Sequence, residues 1–326
     1  MRALRLFAVS AAAVLLAAGC GANDSTGDEA AAAGSGYPLT VSNCGADVTF
    51  DEAPQRVVLL KSAAVPYLHS LGVLDRVTAK AGQYPKDYYD AATQAGLDRI
   101  SLLTDKTDTS GHLQISKEVV ISQQPDLVLG EVDNLSRDTL SAVDIPLLEE
   151  PALCPGATAV PAFDDIYAQM RSYGRIFDRP AEAEAAVSAL QARMAGIKKT
   201  TPQRTAAVLY PTVGGGVTYA YGSTSMAHPQ LEAAGFTNVF AESKERVFEI
   251  TLEELLGRNP DVLILLYSDG DPKAVEAAVT GLPGAGKLKA ISGGNVMTQL
   301  FNFTEPQSPL SIDGLEKIVH RFSADS

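Results

Sequence analysis

Apolar and polar positions along this chain form one pattern that occurs twice. In the first half, Gln114 to Gln123 has helical spacing, Gln124-Pro125-Asp126 breaks it, and the apolar run Leu127-Val128-Leu129 follows. In the second half, Leu252 to Gly257 is helical, Asn259-Pro260-Asp261 breaks it, and Val262 to Leu266 is the apolar run. Short apolar runs bounded by such breakers read as buried strands. A second pair agrees: Tyr67 to Leu71 stops at Gly72 before Asp75-Arg76-Val77, and Gln230 to Ala234 stops at Gly235 before Asn238-Val239. Glycine after a helix is a common C-terminal stop. Each half opens with a strand, Arg56 to Leu60 and Thr205 to Tyr210. Alternating strands and helices predict two α/β, Rossmann-like lobes on mostly parallel sheets, spanning 37–162 and 201–326. Ligands of such sheets bind beyond the carboxyl ends of the strands.

Between the halves, 163–200 is the most clearly helical stretch. After a break at Arg179-Pro180, the apolar positions Ala183, Val187, Leu190, Met194 and Ile197 follow steps of four and three, one stripe of an amphipathic helix. A helix of about 20 residues spans about 30 Å, enough to cross from lobe to lobe and leave a stiff bilobed body with a cleft.

The N-terminal pattern is of another kind. Arg2 and Arg5 precede the uncharged run Leu6 to Ala18, which ends in small residues before Gly19-Cys20. Such a run is short of the ~20 apolar residues of a comfortable membrane span and reads as a signal peptide over 1–19. Leu16-Ala17-Ala18-Gly19-Cys20 resembles a lipobox, which makes Cys20 the expected lipid-bearing N-terminus on the extracytoplasmic face of the membrane. Residues 20–36, rich in Gly, Ala, Ser and Asp, have little to bury and are expected to form a disordered tether. Without the signal, 24 basic residues face 39 acidic ones, and the net charge moves from −13 to −15 because Arg2 and Arg5 are lost. That balance argues against nucleic acid or anionic lipid as a partner. Of three cysteines, Cys44 and Cys154 remain in an oxidising compartment. A Cys44–Cys154 disulfide is the simplest reading, and two free buried thiols are the alternative.

From Tyr37 onward the chain resembles the helical-backbone class of ABC solute-binding proteins, the iron-siderophore and cobalamin type. The residues that carry the resemblance are Asn43-Cys44-Gly45, Val48-Thr49-Phe50, Arg56-Val57-Val58, His69 to Val77, Phe163-Asp164-Asp165-Ile166-Tyr167, Tyr173 to Phe177, Gly222-Ser223-Thr224-Ser225 and Leu231 to Ala241. The resemblance implies a monomeric carrier of iron chelates, haem, cobalamin or related bulky cofactors that serves an ABC permease and its ATPase. It further implies that one acidic residue per lobe docks to permease arginines. Glu232 matches that position in the C-terminal lobe. In the N-terminal lobe the family's glutamate follows Ser-Ala-Thr, whereas here Ser62-Ala63-Ala64 is followed by Val65.

Enzyme chemistry finds little support. Gly281-Leu-Pro-Gly-Ala-Gly286-Lys287 has the glycine spacing of a phosphate loop, but Leu288 replaces the Ser or Thr that binds magnesium, and no strand precedes it. The four histidines, His69, His112, His228 and His320, show no paired spacing and no acidic ligand cluster, so no bare metal site and no cofactor are expected. His228 is a candidate for the cleft. No Gly-x-Ser-x-Gly elbow occurs, and Asp164-Asp165 and Glu253-Glu254 read as favourable charges at helix starts. A secreted hydrolase is the rival class.

The candidate ligand contacts lie at strand ends: Lys61, Tyr84, Glu131 and Asn134 in the first half, and Tyr210, Tyr219, Tyr221, Tyr267, Phe301 and Phe303 in the second. Aromatic walls suit a flat or greasy chelate. A ferric siderophore leads, followed by haem, cobalamin and a deazaflavin-cofactor precursor.

Overall fold

The computed structural model describes residues 36–108, 112–200 and 203–323; the expected signal peptide, Cys20 and nearly all of the expected tether lie outside them. A hairpin of β1 (Leu39–Asn43) and β2 (Ala46–Phe50) comes first. Then follow β3 (Val57–Leu59), β4 (Val77–Lys80), β5 (Ser101–Leu102), β6 (Leu127–Leu129) and β7 (Leu147–Leu148), all parallel, in the order β5-β4-β3-β6-β7. Strand order therefore reverses between β3 and β6, the topological switch point where α/β sheets place ligands. The second sheet contains β8 (Arg204–Pro211), β9 (Thr218–Tyr221), β10 (Phe236–Asn238), β11 (Val247–Ile250), β12 (Val262–Tyr267) and β13 (Val296–Leu300). Its order is β11-β9-β8-β12-β13, with β10 parallel to the start of β8 and β9 antiparallel to its end.

The central strands lack polar alternation because both faces of each sheet are covered. In β3 and β6, Val57, Leu59, Leu127 and Leu129 enter one core while Val58 and Val128 enter another. In β8 and β12 the same division sends Val208 and Ile264 one way and Leu209 and Leu265 the other. The repeated Pro-Asp also does the same work twice. Asp126 accepts the backbone N–H groups of Gln55 (2.7 Å) and Arg56 (2.9 Å) just ahead of β3. Asp261 accepts the Thr205 N–H at 2.9 Å and its hydroxyl at 2.8 Å.

The helical stretch between the sheets is two helices, Phe163–Ile176 and Pro180–Gly196, with Asp178 at φ 54° and Pro180 opening the second. Pro180–Gly196 is the crossing element. Ala183, Val187 and Leu190 are buried in the core of the first lobe, and Met194 and Ile197 pack against the cores of both. Arg193 then ties it to Asp313 and Glu316 of the C-terminal helix at 2.5 and 2.7 Å. Cys44 and Cys154 form a disulfide that joins the β1–β2 turn to the segment after β7. One expected helix is shorter than its pattern: Gln114 to Gln123 reduces to Lys117–Ile121, capped by Ser116. Gln114 and Ile115 are held instead as loop, by a Gln114 N–H bond to Lys106 O and an Asn134 amide bond to Ile115 O.

Candidate binding cleft

The carboxyl ends of β3, β4 and β6 face a hollow of about 420 Å³, closed on its far side by Ser268, Phe301, Asn302 and Pro306 of the second lobe. Leu60 to Ala63 follow β3, Gly82, Gln83, Pro85 and Tyr88 follow β4, and Glu131 to Asp133 follow β6. Thr107, His112 and Leu113 come from the loop before the Lys117–Ile121 helix, and Leu153 from beside the disulfide. Among the described residues no arginine lines this hollow.

Three of the expected contacts, Lys61, Glu131 and Phe301, reach the cleft wall. Lys61 and Glu131 flank the strand-order reversal, and one buried carboxylate fixes both. Glu149 Oε2 accepts Lys61 Nζ at 2.6 Å and the Glu131 N–H at 2.9 Å, while its Oε1 accepts the Glu150 N–H at 2.6 Å. Gly130 lets the lysine stem pass: its φ is 99°, and a Cβ there would stand 2.9 Å from Lys61 Cγ. Glu150, fully enclosed, has its carboxyl pushed up to about 7 by burial, against the lowering effect of the Gln169 amide that donates to it.

The other expected contacts are placed differently. Tyr84 lies beneath the cleft floor, where its hydroxyl donates to Leu59 O and Ala81 O and burial raises its pKa. Asn134 spends its amide on Ile115 O. Tyr210 stands behind the wall, with its ring edge-on to Phe301 and its hydroxyl 3.1 Å from Ser268 Oγ. Tyr221 is a correction: only 3% exposed, it packs in the second lobe's core. Phe303 is another. The chain turns through a 3-10 helix at Phe301–Phe303, so residues two apart point in different directions. Phe301 meets the cleft, while Phe303 joins Tyr88, Leu300 and Leu310 in a small cluster between the lobes, with Tyr267 packed on its edge. Tyr219 is half-buried on its strand and outside the cleft wall.

Sequence reasoning missed Tyr88, Asn302 and Ser62, which bridge the cleft floor. The Tyr88 hydroxyl accepts the Asn302 N–H at 2.8 Å, and the Asn302 amide donates to Ser62 Oγ at 3.2 Å. Tyr88 and Asn302 carry no motif, and Ser62 stands out in the sequence only as the start of the Ser62-Ala63-Ala64 run. Tyr88 ends a short turn at Lys86–Tyr88 that the fold alone brings against the second lobe.

The histidine expectation also changes. His112 Nδ1 lies 2.9 Å from Asp133 and 3.9 Å from Asp108, three exposed groups at the rim of the cleft. Asp108 lies four residues before this histidine in the sequence, and folding brings Asp133 to it. His228 is not in the cleft; it sits 3.6 Å from Glu232 beside a surface groove that includes Lys199 and Thr237. Glu232 itself is 61% exposed, and Val65 of the first lobe is fully buried.

The sequence profile of the periplasmic binding protein family matches residues 57–299. The chain belongs to that family. The structure resembles that of a protein from Saccharomonospora viridis described as an ABC-type Fe3+-hydroxamate transport system, at 56% identity and a TM-score of 0.85, covering 88% of this chain and all of that one. A cobalamin-binding protein of Halobacterium salinarum is 25% identical over 84% of this chain and 71% of its own length. An ABC transporter substrate-binding lipoprotein of Bacillus subtilis, YvrC, is 23% identical over 97% of this chain and 95% of its own length. The two-lobed α/β architecture with a crossing helix, read from the sequence, is thus the fold of this periplasmic binding protein, with one sheet parallel and the other mixed. Among the described residues no helix is long and apolar enough to cross a membrane.

Proposed function

We propose that this periplasmic binding protein captures a ferric hydroxamate siderophore in the cleft and delivers it to an ABC permease and its ATPase. The observation that carries the reading is the hollow at the carboxyl ends of β3, β4 and β6, faced from the second lobe by Phe301 and Asn302. Aromatic and hydroxyl groups there suit a compact chelate with an apolar rim and polar oxygens, and the similarity to the Saccharomonospora viridis protein favours a ferric hydroxamate over haem or cobalamin. Lobes at 37–162 and 201–326 clasp the cargo across the connector at 163–200. Cys20 carries the lipid that holds the monomer on the extracytoplasmic face, and Glu232 docks to the permease.

Thermal unfolding of the soluble protein beginning after Cys20 tests the reading. A ferric trihydroxamate at a hundredfold excess over its dissociation constant should stabilise the protein by about 2.7 kcal/mol. The iron-free hydroxamate, which lacks the compact shape, should do far less. Stabilisation by cobalamin or haem but by no ferric hydroxamate would move the protein to another cargo.

A further inference from the structure

The cleft has an uneven charge distribution. Lys61 is the one lysine or arginine on its described wall, and its ammonium is already engaged by Glu149, whose side chain is only 3% exposed. Two carboxylates, Glu131 and Asp133, stand on the same wall. Glu131 is half-buried, and among the described residues no cationic side chain lies within ion-pair distance of it. Its main chain is pinned to Glu149 at 2.9 Å, so the residue is held at the cleft. Among the described residues Asp133, an exposed side chain, pairs with the imidazole of His112 at 2.9 Å, and Asp108 adds a further acid beside that ring.

With no unpaired lysine or arginine on the described wall, these carboxylates leave the cleft at a negative potential. That potential attracts an arriving cation and repels an arriving anion. From this we infer that the cleft selects a ferric chelate bearing a free ammonium group, seated against Glu131 and Asp133, over uncharged or carboxylate-bearing chelates of the same shape. The inference rests on the ferric-hydroxamate reading and names the charge class of the cargo within it. Iron need not touch the protein, because the ammonium is recognised at the chelate's periphery.

Calorimetric titration of the soluble protein with three linear ferric trihydroxamates tests this. One ends in a free ammonium, one has that amine acetylated, and one has it succinylated to a carboxylate. The ammonium chelate should bind about tenfold or more tighter than the acetylated one, and the succinylated one should bind weakest. The preference should shrink as ionic strength rises. Glu131→Gln combined with Asp133→Asn should bring the ammonium and acetylated chelates to within about twofold of each other, chiefly by weakening the former. A ligand-free melting midpoint close to that of the unaltered protein shows that this variant is folded, and a preference retained in the folded variant would overturn the inference. Equal affinities in the unaltered protein, or tighter binding of the succinylated chelate, would overturn the inference alone. Binding of none of the three would overturn it together with the ferric-hydroxamate reading.

Discussion

Lys61 Nζ lies 2.6 Å from Glu149 Oε2, so the lysine that the sequence offers as a ligand contact is first a structural partner. The carboxylate is buried, the ammonium is 28% exposed, and the same oxygen holds the backbone of Glu131. Glu149→Gln should therefore destabilise the fold by about 2 kcal/mol, below the 3–5 kcal/mol of a fully buried pair because Lys61 can reach water. Denaturant titration would show this as a lower midpoint at unchanged slope. An unaltered midpoint would mean that the pair contributes nothing net.

Glu150 gives stability an unusual dependence on pH. Its carboxyl stands at about 7 in the fold against 4.5 when unperturbed, chiefly through burial. Between those values the folded state holds a proton that the unfolded chain has lost, so this contribution favours folding at low pH. Stability falls as pH rises through that window and levels off above about 7, a loss on the order of 3 kcal/mol. Glu150→Gln keeps a partner for Gln169 and removes the charge. Melting curves from pH 5 to pH 8 should show this component of the slope flattened in the variant, with the variant the more stable at pH 8.

At Gly174 the first connector helix lies directly against the second. A Cβ there would lie 2.5 Å from Ala183 Cβ and 3.1 Å from Arg179 O. Alanine inside a helix ordinarily gains up to about 1 kcal/mol over glycine, but here overpacking, typically costing 1–3 kcal/mol, should win. Gly174→Ala should lower the midpoint, and adding Ala183→Gly should recover part of the loss, since the two positions share one contact. Additive losses in the double variant would place the strain elsewhere.

Glu232 tests hand-off separately from capture. It is 61% exposed, so Glu232→Lys should change stability by no more than about 0.5 kcal/mol. Chelate affinity should also survive, because the residue lies outside the cleft wall. Uptake into cells should fall, since like charges then meet at the permease. Undiminished uptake would remove Glu232 from the docking surface, and lost affinity would tie it to the cleft.

Much of this protein is legible in one dimension because its signals are local. Two Pro-Asp breaks, each followed by an unbroken apolar strand, give the two lobes, since a proline ends a helix and a strand covered on both faces needs no polar alternation. The stripe from Ala183 to Ile197 gives the crossing helix in the same way. The sequence also offers strand-end residues as candidate contacts, and of these Lys61, Glu131 and Phe301 line the hollow. Only the tertiary structure decides what those side chains face. Tyr221 and Phe303 follow the same strand-end pattern as Phe301, yet the packing of the second lobe and a 3-10 turn bury them. Glu149 and Lys61 are 88 residues apart, and Tyr88 and Asn302 are 214 apart. Their pairing depends on strand order and on how the lobes meet. Periodicity reports the face on which a residue lies, whereas a binding site depends on which distant faces are brought together.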